Sequence, residues 1–483
     1  MTSKFPGMRP VLFIISFLFW AAAASAEPNI VILIADDMGW GDVGYNGSEI
    51  RTPEIDRLAT EGLRLNHFYA QAVCSPTRSS LLTGRTTLNT GAMAPFNPWY
   101  QKGLPVDEKL LPEYLRENGY RTHAVGKWHL GPNLPQYHPL QRGFDTYYGN
   151  LNGYLDHVAH TVFGRVDWQR DGKTVYDEGH TTDLIAGEAV RIIEERDGDA
   201  PIFLYVSFAA PHTPLQASDE TIASYSEITN ENRRVYAAMV TEMDRAIARI
   251  TTALADHGML DNTLLMFFSD NGGPVRTGAS NRPLRGGKGS PWQGGIRVPA
   301  SLSWPGKLEG GAVFDQRMTV MDILPTFLAA AGVSVDAPKP IDGQNLWPAL
   351  ADGKSIPSQD ILLSNLNLQD VMQHSYFSGR WKLVRVGATG GESTDHLFDV
   401  REDPYEEHDL ADKYPAVFDR LVAELDAMPG VEPLMLGEPT PDRRAPGSPG
   451  ATEPDRRPAI GMPYAEAGPI PYPPRNYPEE AAR

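Results

Sequence analysis

One cysteine, Cys74, occurs among the 483 residues, in Cys74-Ser75-Pro76-Thr77-Arg78 ahead of Ser79-Ser80-Leu81-Leu82-Thr83-Gly84-Arg85. A lone cysteine is usually a small buried hydrophobe, and its reactivity rather than its packing decides whether it matters. Two acidic pairs accompany it: Asp36-Asp37 after the aliphatic run 29–35, and Asp270-Asn271 after the run 263–269. Three carboxylates and an amide oxygen, without a second cysteine or a dense histidine set, suit a hard divalent cation such as calcium or magnesium. Read singly, each pair is also an ordinary turn sequence after a strand, and for either pair alone the turn is favoured. Basic side chains follow other apolar runs: Lys127 and His129 in Gly126-Lys127-Trp128-His129, and His212 in Ala210-Pro211-His212-Thr213-Pro214. Lys288 lies in a glycine-dense stretch, 285–297, whose backbone can approach a ligand closely. Taken alone, each lysine or histidine is more often a solvated or satisfied side chain, and the stretch around Lys288 reads equally as a flexible loop.

The elements that must position these groups are buried strands. Runs 29–35, 202–207 and 263–269, with a shorter one at 121–126, are continuously β-branched and aliphatic, the pattern of strands covered on both faces. Helical stretches lie between them: 110–118 ending at Gly119, 182–195 carrying Leu184, Ile185, Val190 and Ile193, and 232–257 closed by Gly258. Strands alternating with helices predict an α/β fold with a large, mostly parallel sheet sandwiched by helices. Ligands of such sheets bind beyond the carboxyl ends of the strands, where both acidic pairs fall. The region 357–428 differs, with short strand candidates at 361–363 and 381–385 and a final helix at 414–425. It reads as a smaller C-terminal α+β subdomain with an antiparallel sheet.

Lys4 and Arg9 precede an apolar run, 11–20, that leads into Ala21-Ala22-Ala23-Ala24-Ser25-Ala26. The run is short for a membrane span, which needs roughly 20 apolar residues, and Ala24-x-Ala26 suits signal peptidase. The expectation is a signal peptide at 1–26 and an exported protein, periplasmic or secreted, with no stable span after cleavage; an uncleaved anchor is the other reading. A catalytic domain at 27–356 and the C-terminal subdomain at 357–430 then precede a proline-rich tail at 431–483, which holds too little apolar periodicity to fold alone. A single cysteine forms no disulfide within the chain, so stability rests on core size. Lys and Arg number 43 against 61 Asp and Glu, a net charge of -18, which with no basic run argues against a nucleic-acid partner.

Cys-x-Pro-x-Arg resembles the signal that sulfatases present to a maturation enzyme, the formylglycine-generating partner, which oxidises the cysteine to an aldehyde that works as its hydrate. The resemblance spans about 28–430 and includes Asp36-Asp37-Met38-Gly39-Trp40-Gly41-Asp42, Thr52-Pro53-Glu54-Ile55-Asp56-Arg57-Leu58-Ala59 and Leu397-Phe398-Asp399-Val400-Arg401-Glu402-Asp403-Pro404-Tyr405-Glu406-Glu407. Gln141-Arg142-Gly143-Phe144-Asp145, Pro214-Leu215-Gln216 and Asn281-Arg282-Pro283-Leu284-Arg285-Gly286 look most like the arylsulfatase B (N-acetylgalactosamine 4-sulfatase) branch. One departure is Thr77, where serine is commonest in the signal; threonine is the nearest hydroxyl residue, so processing is expected to survive.

The resemblance implies an alkaline phosphatase/sulfatase-like fold and sulfate monoester hydrolysis at position 74. It implies a metal, calcium with magnesium the other option, held by Asp36, Asp37, Asp270, Asn271 and the hydrate of formylglycine from Cys74. Arg78 would hold the hydrate, Lys127 and Lys288 would stabilise charge on the sulfuryl oxygens, and His212, assisted by Lys288, would protonate the leaving alcohol. His129 would take the proton that lets sulfate leave. The implied substrate is a sulfated carbohydrate, with aryl sulfates as artificial substrates, and 152–157 with His160 would line the alcohol side of the pocket unless that stretch is a plain surface loop. Rival readings are a phosphonate or phosphate ester hydrolase of the same superfamily and a non-catalytic protein that binds sulfated glycans.

Overall fold

The computed structural model describes residues 27–98, 101–196, 198–366, 371–388, 392–429 and 433–434, with Met1. The expected signal peptide and nearly all of the proline-rich tail lie outside the described residues. Five parallel strands form the centre of a ten-stranded sheet, in the order Thr263–Ser269, Asn29–Ala35, Ile202–Ser207, Arg121–Gly126 and Thr146–Gly149. Beyond Thr263–Ser269 come Ala300–Ser303, antiparallel to both neighbours, then Leu63–Leu65 and Ala312–Phe314; short antiparallel strands Gln169–Arg170 and Lys173–Thr174 close the other edge.

Every residue of Asn29–Ala35 is buried, and its alternating side chains feed two separate cores. Ile30, Ile32 and Ile34 meet Leu81, Leu82, Leu324 and Phe327 on one face, whereas Val31, Leu33 and Ala35 meet Ile185, Ile193, Met239 and Ile247 on the other. Full burial of each such aliphatic side chain is worth about 1.5–3 kcal/mol, which makes the sheet a rigid base for whatever follows its strands. The second face is covered by helices Thr181–Glu194 and Glu231–Asp256, each within a residue of its expected bounds.

Register places the chemistry. Ala35 pairs with Ser269, Ile34 with Ser207, and Ser207 with Gly126, so Asp36, Asp270 and Lys127 are each the next residue past one edge. Facing that edge is the helix Cys74–Thr83, whose ten residues are all buried and which ends at Gly84 with φ 67°. It starts at Cys74 itself, so Pro76 sits in the first turn, where its missing N–H leaves no helical bond unmade.

The C-terminal region is the expected antiparallel sheet, with four strands, Ile361–Leu366, Val371–Ser378, Trp381–Ala388 and Ser393–Asp399. The helix Pro415–Asp426 covers one face through Leu421 and Leu425. The other face, with Ile361, Leu363, Phe377, Val384 and Phe398, docks on Tyr69, Ala72, Ile296 and Met321 of the main body. Thus the second sheet leans on segments next to Cys74 and next to the Lys288 loop.

Candidate active site

Asp36 and Asp37 turn sharply off their strand, Asp37 in the left-handed region at φ 73°, which aspartate tolerates better than most residues. Its N–H donates to Asp270 Oδ1 at 3.2 Å and its carbonyl accepts from Tyr236 Oη at 3.1 Å, so the turn is held from two sides. Single ligand atoms of Asp36, Asp37, Asp270 and Cys74 lie within 4.8 Å of one another, and all four residues are buried. Cys74 Sγ is 3.6 Å from Asp36 Oδ1. Asn271 donates through Nδ2 to Asp37 Oδ1 at 2.7 Å and leaves its own Oδ1 buried without a partner. An orphaned buried acceptor beside three carboxylates is the kind of atom a cation takes up.

Cations interleave with these acids. Lys127 Nζ lies 2.7 Å from Asp36 Oδ2, Lys288 Nζ 2.6 Å from Asp37 Oδ1, and Arg78 Nη2 2.8 Å from Asp270 Oδ2. Arg78, fully buried one helical turn past Cys74, also donates through Nη1 to the Lys127 carbonyl at 2.9 Å and to Ser207 Oγ at 2.5 Å, while its Nε stays buried without an acceptor. Burial pushes the Asp36 carboxyl up to about 7 even against Lys127, with the Asp270 and Asp37 charges adding to the rise. At Asp37 burial acts in the same direction, but Lys288, His212 and Lys127 outweigh it and hold the carboxyl well below the usual range. Burial, with Asp270 beside it, drives the Cys74 thiol up to about 12.

Two histidines complete the constellation. His129, at φ 58°, is pinned through its backbone, its N–H donating to the Leu151 carbonyl at 3.1 Å and its carbonyl accepting from Ser75 Oγ at 2.7 Å. Burial and the Lys127 and Arg78 charges hold its ring neutral, and Nδ1 is buried without a partner. His212 sits between two cis peptides, Ala210-Pro211 and Thr213-Pro214, with Nδ1 2.7 Å from the Thr213 carbonyl and Nε2 3.5 Å from Asp37 Oδ2. A ring nitrogen on a carbonyl carries the proton, so Nε2 is the free acceptor. Burial and Lys288 hold this imidazole down to about 3.

All ten residues expected at the site, from Asp36 to Lys288, therefore occur around one buried cluster. The 152–157 segment contributes in part. A Cβ on Gly153 would fall 2.3 Å from the His129 ring, and Tyr154 stacks on His212 with centroids 6.2 Å apart. His157 holds the His212 carbonyl through Nε2 at 3.0 Å and is itself buried, whereas His160 stacks on Trp168 and bonds the Gly179 carbonyl. His160 is accordingly a packing residue, not a pocket wall. Sequence reasoning missed Ser207 and Tyr205, which meet Arg78 from the neighbouring strand, and the contact of Thr77, noted only within the Cys74 signal, whose hydroxyl donates to the Asp270 carbonyl at 2.5 Å. Only the register between distant strands brings these together, and no local pattern carries it.

A sulfatase family model matches residues 28–333, and a model of the C-terminal part of N-sulphoglucosamine sulphohydrolase matches 290–429. Arylsulfatase J of Mus musculus is 34% identical over 454 residues, covering 83% of this chain and 76% of the relative. N-acetylgalactosamine-6-sulfatase of Homo sapiens is 37% identical over 360 residues, 69% of this chain and 68% of its own. The crystal structure of Ps i-CgsB in complex with k-i-k-neocarrahexaose superposes with a TM-score of 0.78 at 34% identity, covering 84% of this chain and 94% of that one. The fold and these matches define a sulfuric ester hydrolase. The chain belongs to the sulfatase family. These two relatives carry arylsulfatase J and 6-sulfatase names and do not confirm the 4-sulfatase branch suggested by the sequence.

Proposed function

We propose that this protein is an exported sulfatase that hydrolyses a sulfate monoester of a carbohydrate, using a formylglycine made from Cys74 and one calcium ion held by Asp36, Asp37, Asp270 and Asn271. The observation that carries the reading is the meeting of the Cys74 side chain with three buried carboxylates, ringed by Lys127, Lys288 and Arg78. A sulfur atom fits poorly among hard oxygen donors; an oxygen function at position 74 makes the set all-oxygen and suited to calcium. Three carboxylates balance three cationic side chains, so a divalent ion turns a neutral pocket into one that attracts an anionic ester. The expected signal peptide supports export, and among the described residues no helix is long and apolar enough to cross a membrane. Relatives whose names specify N-acetylgalactosamine sulfate, or whose crystals hold an oligosaccharide, support a carbohydrate substrate.

Formylglycine supplies a hydrated aldehyde, an oxygen nucleophile with a second hydroxyl through which sulfate can be released. A bound divalent ion supplies positive charge that favours ionised oxygen. The chain's own residues do the rest. Lys127 and Lys288 meet the negative charge of the sulfuryl oxygens, and Arg78 Nε is a buried donor for an oxygen at position 74. His212 presents Nε2 to the leaving oxygen. Its affinity for a proton is low beside Lys288, but an anionic ester next to the ring raises it, so the acid form is built as substrate binds. His129, neutral and pinned, accepts the proton whose removal frees sulfate.

Mass spectrometry of the Cys74 peptide from active protein tests the reading, with an aldehyde in place of the thiol as the expected result. Cys74→Ala should abolish turnover of an aryl sulfate and leave the circular dichroism spectrum unchanged. An unmodified thiol in active enzyme, or an aryl phosphate or phosphonate cleaved faster than the sulfate, would overturn it.

A further inference from the structure

A second cleft opens on the same edge of the sheet as the acidic cluster, at the far end of the strand order. Its volume is about 510 Å³, and Trp40, His67, Arg297, Arg317, Arg401 and Tyr405 are among its walls. The strand Leu63–Leu65 points the same way as Thr263–Ser269, because each is antiparallel to Ala300–Ser303 between them, and Ala312–Phe314 runs parallel to it. His67 and Arg317 follow the ends of those two strands, as Asp270 follows its own. With about 4.8 Å between neighbouring strands, two to three spacings put the cleft roughly 10–15 Å from Asp270 along that edge. Neighbouring units of one glycan chain bridge such a distance.

The cleft is positive in an otherwise acidic protein. Arg297, 6% exposed, donates through Nε to the Asn66 carbonyl at 3.0 Å and through Nη2 to Asn66 Oδ1 at 3.2 Å, both neutral acceptors. Arg317 lies over the Phe377 ring, 4.5 Å from its centroid, and donates to the Gly379 carbonyl at 3.1 Å. Neither guanidinium has a carboxylate partner among the described residues, and Arg401 adds a third charge at the mouth. Among the described residues Asp315 is the one carboxylate in the lining. Burial and Arg297 hold the His67 imidazole down to about 4, so it faces the cleft neutral, and burial lowers Arg317 itself. Guanidinium groups removed from water onto neutral acceptors keep their charge unanswered, which is the state that an anion relieves. Trp40 and the 40% exposed Tyr405 add aromatic faces of the amphipathic kind that sugars lie on.

We propose that this cleft is an accessory subsite for a second anionic unit, bearing sulfate or carboxylate, of the same glycan whose sulfate ester is cleaved at position 74. The inference rests on the reading of the protein as a carbohydrate sulfatase, and its test separates the two. Arg401→Glu reverses an exposed charge with little demand on folding, and Arg317→Gln removes one inside. Each variant and the wild type are assayed with 4-nitrophenyl sulfate, too small to reach the cleft, and with a sulfated galactan tetrasaccharide. Loss of a charged contact to the chain should raise KM for the tetrasaccharide about 10-fold with kcat kept, while aryl sulfate kinetics stay within about twofold. Comparing tetrasaccharides whose second anionic group is a sulfate or a uronate carboxylate identifies the anion, and a chain with a neutral second unit should be indifferent to Arg401→Glu. Unchanged KM in both variants overturns the proposal, as does a parallel loss on the aryl sulfate. If the wild type cleaves no sulfate ester, the sulfatase reading fails and the cleft is judged by titration calorimetry of the same tetrasaccharide. Weaker binding to Arg401→Glu then sustains it, and equal binding overturns it.

Discussion

Lys127 is fully buried, and its ammonium has a carboxylate, Asp36, on one side and Cys74 close by. Burial alone would discharge it; the Asp36 charge restores it, and the net effect is a pKa above the ordinary lysine value. A side chain so placed is a fixed positive charge aimed at position 74, and loss of one such electrostatic donor typically lowers turnover about 10²- to 10³-fold. Lys127→Ala is therefore expected to reduce kcat for an aryl sulfate by that factor. Lys127→Arg should rescue little, because a planar fork does not replace a compact point charge in a closed site. An unchanged rate in Lys127→Ala, measured on protein with a wild-type melting temperature, would remove the residue from the chemistry. Lys288 differs in being 22% exposed and carried by a loop rather than by a strand end, so its position depends on what braces that loop.

The brace comes from the C-terminal sheet. Lys382 and Glu406, both fully buried, pair at 2.5 Å, and Lys382 Nζ also donates to the Pro291 carbonyl at 2.7 Å. Glu406 Oε2 accepts from the Gln293 N–H at 2.7 Å, and its carbonyl accepts from Arg285 Nη1 at 2.9 Å. These bonds hold the loop on both sides of Lys288. Glu406→Gln leaves a buried ammonium without its counter-charge, a loss of about 3–5 kcal/mol, and should lower both the melting temperature and kcat. Adding Lys382→Met removes the stranded charge and should recover most of the stability while kcat stays low, because the Pro291 carbonyl then loses its Lys382 donor. A Glu406→Gln protein that melts and turns over like wild type would show the brace to be dispensable. None of this was legible in the sequence, where Glu406 stood out only as part of a resemblance. The central strands were legible because burial on both faces makes them continuous apolar runs, and the acidic pairs because they interrupt those runs. Val371–Ser378 and Ser393–Asp399 mix polar and apolar residues and are only partly buried along their length, so they carried no such signal. The Cys74–Thr83 helix is buried all round yet rich in serine and threonine, so no apolar stripe announced it, and only its sequence signal did.

Two properties belong to the whole molecule. A cation bound by the folded site and not by the unfolded chain adds RT ln(1 + [L]/Kd), about 2.7 kcal/mol at a hundredfold excess over Kd. Chelation should then lower the melting temperature and abolish turnover together, with calcium restoring both; a melting temperature indifferent to chelator and calcium would argue against a resident ion. Acid sets the other limit. His138 and His157 are each 1% exposed, and burial holds both imidazoles down to about 4 from an ordinary 6.5. His138 has its neutral form fixed by contacts, Nδ1 accepting from the Leu140 N–H at 3.3 Å and Nε2 lying 2.8 Å from Gln169 Oε1. Between these pH values the unfolded chain binds protons that the folded chain refuses, so stability is full above about pH 6.5 and falls with pH until about pH 4, below which these two groups contribute no further slope. At 1.36 kcal/mol per unit each histidine accounts for roughly 3 kcal/mol, and the pair for a large part of a typical net stability of about 5–15 kcal/mol. Urea unfolding at a series of pH values should show this decline. His138→Asn keeps an acceptor for the Leu140 N–H at the start of that turn but cannot take up the proton, so the variant should lose about one proton's worth of slope between pH 6.5 and 4. If its slope matches wild type, the acid sensitivity lies in other groups and His138 is not one of the residues that set it.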